Sequence, residues 1–406
     1  MAKKDEKTAL PRLRFPEFTA GTEWEEVALG AIAEIKLGKM LDNKKHTTGR
    51  LLPYLNNVSL RWNKVDTSNL PQMYFDESEL ELYGLRAGDV VICEGGEPGR
   101  SAVWDGRMPG LKFQKAIHRV RFLVPFDPRL LVYYLETISG TNRFEKFFTG
   151  GGIKHLTRES LELLRIPLAS PAEQQKIADC LSSLDELIAA QGRKVEALKA
   201  HKRGLLQELF PREGETSPRL RFPEFREGLE WKNRAIADAC LMQAGKFTTA
   251  SEIREEPAEH LYPCYGGNGL RGYKETYTHS GKFPLIGRQG ALCGNVRLAT
   301  GKFYATEHAV VASAKKGIIA EWLYYALDRL RLNQFATGQA QPGLSVEVLE
   351  KVPVMIPSTE DEQHRIASCL SSLDTLIAAE AEKLEALKTH KKGLMQQLFP
   401  DVEEDS

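Results

Sequence analysis

Hydrophobic positions along this chain follow two different periods. Between Ile177 and Leu209 they recur every seven residues, at Ile177, Leu184, Leu198 and Leu205. Leu181, Ile188, Val195 and Leu209 fill places four residues further on. Such spacing keeps one stripe of a helix apolar and predicts a long helix with a coiled-coil seam. The stripe returns between Ile366 and Leu398. Gln191 and Lys202 interrupt the first seam, and Glu380 and Lys391 interrupt the second at matching places. Phe210-Pro211 and Phe399-Pro400 end the two helices, since proline cannot continue one.

Ahead of each helix the pattern changes to short β-like runs between Gly and Asn turns. EVALGAIAEIKLG, LLPYLNNVSL, GDVVICEGG, SAVW and AIHRVRFLVP read as strands in the first segment, and HLYPCYGGNG, KFPLIGRQG, GNVRLATG and KFYATEHAVVASA in the second. Each segment closes with a helical stretch, Leu130–Phe148 and Glu321–Phe335. These share a pattern in which Tyr133, Tyr134, Asn142 and Phe144 match Tyr324, Tyr325, Asn333 and Phe335. Gly-rich loops follow, and Thr157 and Ser345 are candidate N-caps of short helices.

The chain is written twice. PRLRFPEF occurs at Pro11–Phe18 and again at Pro218–Phe225, each copy followed by a tryptophan, Trp24 and Trp231, at a separation of 207 residues. The helical repeats, Ile177–Pro211 and Ile366–Pro400, lie 189 apart and agree at 25 of 35 positions. Between box and helix the two copies share little. A kept frame with divergent inserts suggests one scaffold presenting two different readers.

The fold class expected is α+β: two mostly β domains separated by an antiparallel coiled coil of two long helices, with a pseudo-twofold internal repeat. If the second variable segment is compact, the second helix begins near where the first one ends. The helices then run antiparallel, with the variable domains at opposite ends of a rod about 50 Å long. The expected divisions are 1–23 (box and arm), 24–165 (variable domain), 166–211 (linker and long helix), 212–230 (linker and second box), 231–351 (variable domain), 352–400 (linker and long helix) and 401–406 (acidic tail).

Composition adds exclusions. The 406 residues carry 55 Lys+Arg against 55 Asp+Glu, so net charge points to no partner. With 42% hydrophobic residues the chain can bury real cores. Six scattered cysteines without a CxxC pair argue against structural zinc and suit a reducing compartment. No leader-like or membrane-length apolar run is visible, so a soluble, cytoplasmic protein is expected.

Enzyme signatures are missing. Gly267–Gly272 spells GxGxxG, but strand-like residues follow it instead of a helix, so no helix N-terminus waits for a pyrophosphate. The chain has no P-loop, no HExxH and no Asn/Asp-Pro-Pro-aromatic motif. His118 and His308 read as isolated imidazoles in strand patterns.

Box, variable segment, Ile-Pro (Ile166-Pro167) or Val-Pro (Val352-Pro353), Glu-Gln (Glu173-Gln174, Glu362-Gln363) and long helix, twice over, resemble the specificity subunit of type I restriction–modification systems. The resemblance covers Pro11–Pro400. It implies that each variable domain is a target-recognition domain reading one half of an asymmetric, bipartite site in double-stranded DNA. The helices would fix the spacing and dock two methyltransferase subunits carrying S-adenosylmethionine, while this chain holds no cofactor or metal and is not itself catalytic. Two restriction subunits using ATP and Mg can join. A protein-binding coiled-coil adaptor without DNA binding and a self-contained DNA-modifying enzyme remain as alternatives.

For a DNA reader, the polar and guanidinium side chains on tight loops are the candidates, since Arg and Lys suit guanine and Asn and Gln suit adenine. In the first domain these are Lys39, Lys44, Asn56, Asn57, Arg61, Arg100, Lys115, His118 and Lys154. In the second they are Gln243, Lys246, Tyr265, Asn268, Arg271, Arg288, Gln289, His308 and Gln341. Net charges of +2 for Trp24–Arg165 and +4 for Trp231–Lys351 are low for such a role, so positive charge must gather on one face. The boxes (Arg14, Phe15, Phe18; Arg221, Phe222, Phe225) are either docking surfaces or internal contacts, box 1 then packing near the end of the second long helix.

Overall fold

The computed structural model describes residues 8–41, 49–267, 269–290, 292–338 and 342–400. It divides into two compact units, residues 1–191 with 383–406, and residues 192–382. Each unit therefore holds one variable segment and part of each long helix.

In the first unit an antiparallel sheet runs in the order Ala33–Leu37, Ile117–Phe122, Val90–Cys93, Ser101–Val103. Arg50–Leu55 pairs antiparallel with Gln72–Phe75 and parallel with Lys112–Phe113. A separate ribbon joins Thr8–Ala9, Trp24–Ala28 and Arg165–Leu168 at the point where the segment begins and ends. The second unit carries a six-stranded sheet, ordered Cys240–Ala244, Ala309–Ala314, His279–Gly287, Val296–Ala305, Tyr262–Gly266, Gly269–Lys274. Its ribbon pairs Lys232–Ala235 with Pro353–Ile356. Central strands such as Val90–Cys93 are buried on both faces, so they read as apolar runs without alternation.

The closing helices are shorter than their patterns predict. The first covers Pro128–Ile138, started by Pro128 and by the Asp127 carboxylate accepting from Arg129 N, and the chain breaks at Gly140 (φ 76°). The second covers Ala320–Arg329 and breaks where Arg331 takes a left-handed conformation (φ 47°). Their register also differs from the sequence match. Tyr133 Oη donates to Asp185 Oδ2 and Tyr325 Oη donates to Asp374 Oδ2, both at 2.8 Å, so Tyr133 corresponds to Tyr325 and not to Tyr324.

The long helices span Pro171–Glu208 and Glu360–Leu398. They run antiparallel within each unit. In the second unit Lys194 pairs with Glu380 and Lys202 with Asp374, both at 2.5 Å, so rising numbers on one helix meet falling numbers on the other. In the first unit Lys391 pairs with Asp185 (2.7 Å), while Ile177 and Leu181 share a core with Met395, Leu398 and Phe399. Two of the four seam interruptions, Lys202 and Lys391, are thus ion-paired to an aspartate of the facing helix.

Both boxes are internal contacts. Leu13 N donates to Gln397 O, and Leu220 N donates to Glu208 O, so each box rides on the end of a long helix. Arg14 and Trp24 Nε1 converge on the Glu173 carboxylate, and Arg221 and Trp231 Nε1 repeat this on Glu362. The neighbouring glutamine ties the other side: Gln174 accepts from Asp127 N and donates to Ala169 O, and Gln363 accepts from Ile319 N and donates to Gly317 O. The Glu-Gln pair thus fixes box, tryptophan and closing helix to the start of a long helix.

Candidate nucleic-acid interface

One set of five backbone hydrogen bonds gathers the loops of each unit. In the second unit Gly245 N donates to Ala309 O, Lys246 N to Ala305 O, Thr306 N to Tyr265 O, Arg288 N to His308 O, and Leu344 N to Arg288 O, all at 2.8–2.9 Å. In the first unit Gly38 N donates to Ile117 O, Lys39 N to Phe113 O, Gln114 N to Leu55 O, Glu94 N to Ala116 O, and Leu156 N to Glu94 O, at 2.8–3.1 Å. The two sets correspond bond for bond. Gly38 and Gly245 are required there, because a Cβ would lie 2.3 Å from the carbonyl oxygen of Gln114 or Ala305. Five segments therefore meet at the strand ends of each unit, on frames that are alike and with side chains that are not.

Lys39 is corrected by this geometry. It is 6% exposed, its Nζ donates to Tyr74 O at 2.9 Å, and it forms an ion pair with Glu79, so its charge is used inside the domain. Its counterpart Lys246 is exposed. His118 is also corrected: it is fully buried with Nε2 2.7 Å from Leu156 O, and burial holds its pKa below the ordinary value. A neutral imidazole in a core strand reaches no base edge.

The other candidates of the first unit lie on or beside the loop cluster. Asn56 Oδ1 accepts from Val58 N and Ser59 N and so caps a short 3-10 turn. Asn57 is half-buried, and the Arg100 guanidinium ties its carbonyl oxygen (2.7 Å) to Glu97 (2.5 Å). Arg61 is exposed and donates to the carbonyls of Val58 and Leu60. Lys115 is half-buried beside the backbone of Lys39, and Lys154 is exposed and paired with Glu145 at 3.0 Å. In the second unit Gln243, Lys246, Arg271 and Gln289 are exposed. Tyr265, Arg288 and His308 are partly so, with Tyr265 edge-on to Phe303 and His308 Nε2 3.1 Å from Glu307. Lys44, Asn268 and Gln341 lie outside the described residues.

Gly267–Gly272 falls on a β-hairpin between Tyr262–Gly266 and Gly269–Lys274, not at a helix start. Arg297 lies against Gly269, and with Asn295 it joins the loop cluster; its place in a strand pattern hid it from the sequence reading. Among the described residues no group of three or more His, Cys, Asp or Glu is placed to hold a metal ion, and no helix is long and apolar enough to cross a membrane.

Comparison with known proteins places this architecture. The family profile described as "Type I restriction modification DNA specificity domain" matches twice, over residues 21–200 and 228–389. The chain belongs to this family. The specificity subunit of the Escherichia coli type I restriction enzyme EcoprrI is 46% identical over 149 residues, which span 36% of this chain and 37% of that one. The MjaVIII specificity subunit of Methanocaldococcus jannaschii is 24% identical over 95% of this chain and 93% of its own length. A crystal structure of a type I restriction–modification S subunit from M. genitalium shares the fold, with a TM-score of 0.63 at 18% identity, covering 97% of this chain and 99% of that one. Membership in the specificity family ties the chain to DNA sequence recognition. It also accounts for two matched domains where the chain is duplicated.

Proposed function

We propose that this chain is the DNA-reading, non-catalytic specificity subunit of a type I restriction–modification complex, and that each unit's loop cluster reads one half of a bipartite, asymmetric site. One observation carries the reading: the same five-bond frame is built twice, while Tyr265, Arg288 and Gln289 stand where the other copy has Leu55, Glu94 and Gly95, and Lys246 is exposed where Lys39 is buried. A duplicated frame with different side chains is what two unlike half-sites need. The length of the long helices then sets the number of base pairs between the halves.

The conserved parts support docking of a partner that binds twice. Phe222, Cys369, Leu373 and Leu376 line a groove of about 390 Å³ on the helix pair of the second unit. Phe15, Cys180, Leu184 and Leu187 are their sequence counterparts in the first, and Leu187 and Leu376 are similarly exposed at 47% and 41%. A surface kept in both copies fits two identical subunits, here the methyltransferases that supply S-adenosylmethionine. ATP and Mg would enter only with restriction subunits, and the complex would work in the cytoplasm.

Co-expression with the methyltransferase subunits, followed by genome-wide mapping of methylated positions, tests this reading. A two-part motif with a fixed gap is expected. Failure of the complex to retain DNA at any salt concentration would favour a protein adaptor, and methyl transfer by the isolated chain would favour an enzyme.

A further inference from the structure

Each loop cluster carries exposed apolar side chains, and one of them, Phe247 or Met40, stands at the same place in both units. Phe247 is 73% exposed, although the backbone that carries it is held firmly. Lys246 N donates to Ala305 O, and Phe247 O accepts from Tyr304 Oη at 3.0 Å. The Tyr304 ring lies 4.3 Å beneath Lys274 Nζ, which is itself bonded to Thr248 and Glu252. Met40 occupies the equivalent place in the first unit and is 63% exposed. Lys39 before it donates to Phe113 O and accepts from Lys115 N. These bonds fix the backbone that carries the side chain, and in both units the side chain stands in solvent.

We propose that Phe247 and Met40 are wedges that press against the base-pair stack of the bound half-site and open one step in each. The inference rests on the DNA-reading function above and adds how the contact is made. The surroundings favour duplex DNA as the occupant. Phe247 follows Lys246 directly, and the stitched backbone brings Arg288 and Gln289 into the same cluster, so groups suited to phosphates and base edges share it with an apolar tip. Apolar side chains inserted between base steps are a recurrent means of unstacking and bending a duplex. The exchange of Phe for Met between copies also fits, because a base face accepts any flexible or flat apolar group, whereas one protein partner shared by both units would call for one kept side chain.

The test uses the full chain with its methyltransferase subunits and a duplex enriched from a random-sequence pool by the wild-type complex. Failure to enrich any sequence overturns the DNA reading itself, independently of Phe247. In the enriched duplex, 2-aminopurine replaces the adenines of the second unit's half-site one at a time, and fluorescence is read at saturating protein. The wedge predicts at least one position whose fluorescence rises severalfold with wild type and with Phe247→Met, and stays low with Phe247→Ala. Phe247→Ala should also bind the duplex about tenfold more weakly. Retained duplex binding with no position that responds to residue 247, or with equal signals from wild type and Phe247→Ala, overturns the proposal and assigns the exposed ring to a protein contact.

Discussion

The guanidinium of Arg14 grips the carboxylate of Glu173 through two hydrogen bonds of 2.6 and 2.7 Å, with Glu173 only 1% exposed. The pair fastens the amino-terminal box to the start of the first long helix. Its copy, Arg221 on Glu362, fastens the second box in the same way. Removing one partner leaves a buried charge without its counter-ion, so Arg14→Ala should destabilise the first unit by about 3–5 kcal/mol. Denaturant unfolding checks this, and adding Glu173→Gln to Arg14→Ala, which removes the stranded charge while keeping an acceptor for Trp24 Nε1, should recover part of the loss.

Lys391 sits in the helix seam at 7% exposure, paired with Asp185 (2.7 Å) and Glu136 (3.2 Å), its ammonium 5.0 Å from the centre of the Tyr133 ring. It joins the two long helices and the closing helix of the variable domain at one point. Lys391→Ala should cost about 2 kcal/mol, since charged hydrogen bonds in part-buried surroundings contribute that much. Lys202→Ala should act likewise on the second unit, through Asp374. Melting of the two units by calorimetry would show each variant shifting its own transition.

His118 makes the first unit sensitive to acid. Burial lowers its pKa in the folded protein below the 6.5 of the free side chain, so below that value the unfolded chain binds the extra proton more readily. The stability contributed by the neutral imidazole is complete above about pH 6.5 and declines as the pH falls from there toward the depressed folded value. The urea midpoint of the first transition should drop between about pH 7.5 and 5.5 in wild type, and less so in His118→Gln.

Lys39 and Lys246 occupy the same place in the two copies and should behave in opposite ways. Lys246 is exposed in the loop cluster, so Lys246→Ala should weaken DNA binding at low salt and reduce the salt slope by about one, with no change in melting. Lys39→Ala should lower the melting temperature, because Glu79 loses its ion pair, and leave the salt slope alone. Gel shifts over a range of salt concentrations, with melting curves alongside, separate the two.

That contrast marks the limit of what the sequence discloses. The seven-residue period of Ile177–Leu209 and the near-identity of its second copy reveal the helices and the duplication, because seam periodicity is a local property, and the antiparallel pairing follows from connectivity through a compact second variable segment. The Gly-Lys pair is equally visible at Gly38-Lys39 and Gly245-Lys246. Yet burial of Lys39 depends on Glu79, forty residues away on an insert the second copy lacks, and no local pattern foretells it. The Tyr133–Tyr325 correspondence is hidden for a similar reason: two adjacent tyrosines permit two alignments, and only the hydrogen bonds to Asp185 and Asp374 choose between them. The box residues were open to both readings until Glu173 and Glu362, buried at the helix starts, showed which groups Arg14 and Arg221 meet.

The central claim is that each loop cluster reads its own half of one site. It is tested most directly by mapping methylated positions made with the wild-type chain and with a variant in which Gln243, Lys246, Arg271, Arg288 and Gln289 are replaced by the residues of another specificity subunit. The account predicts that one half of the motif changes while the other half and the gap between them stay as they were. A motif altered in both halves, or altered in neither, would contradict it.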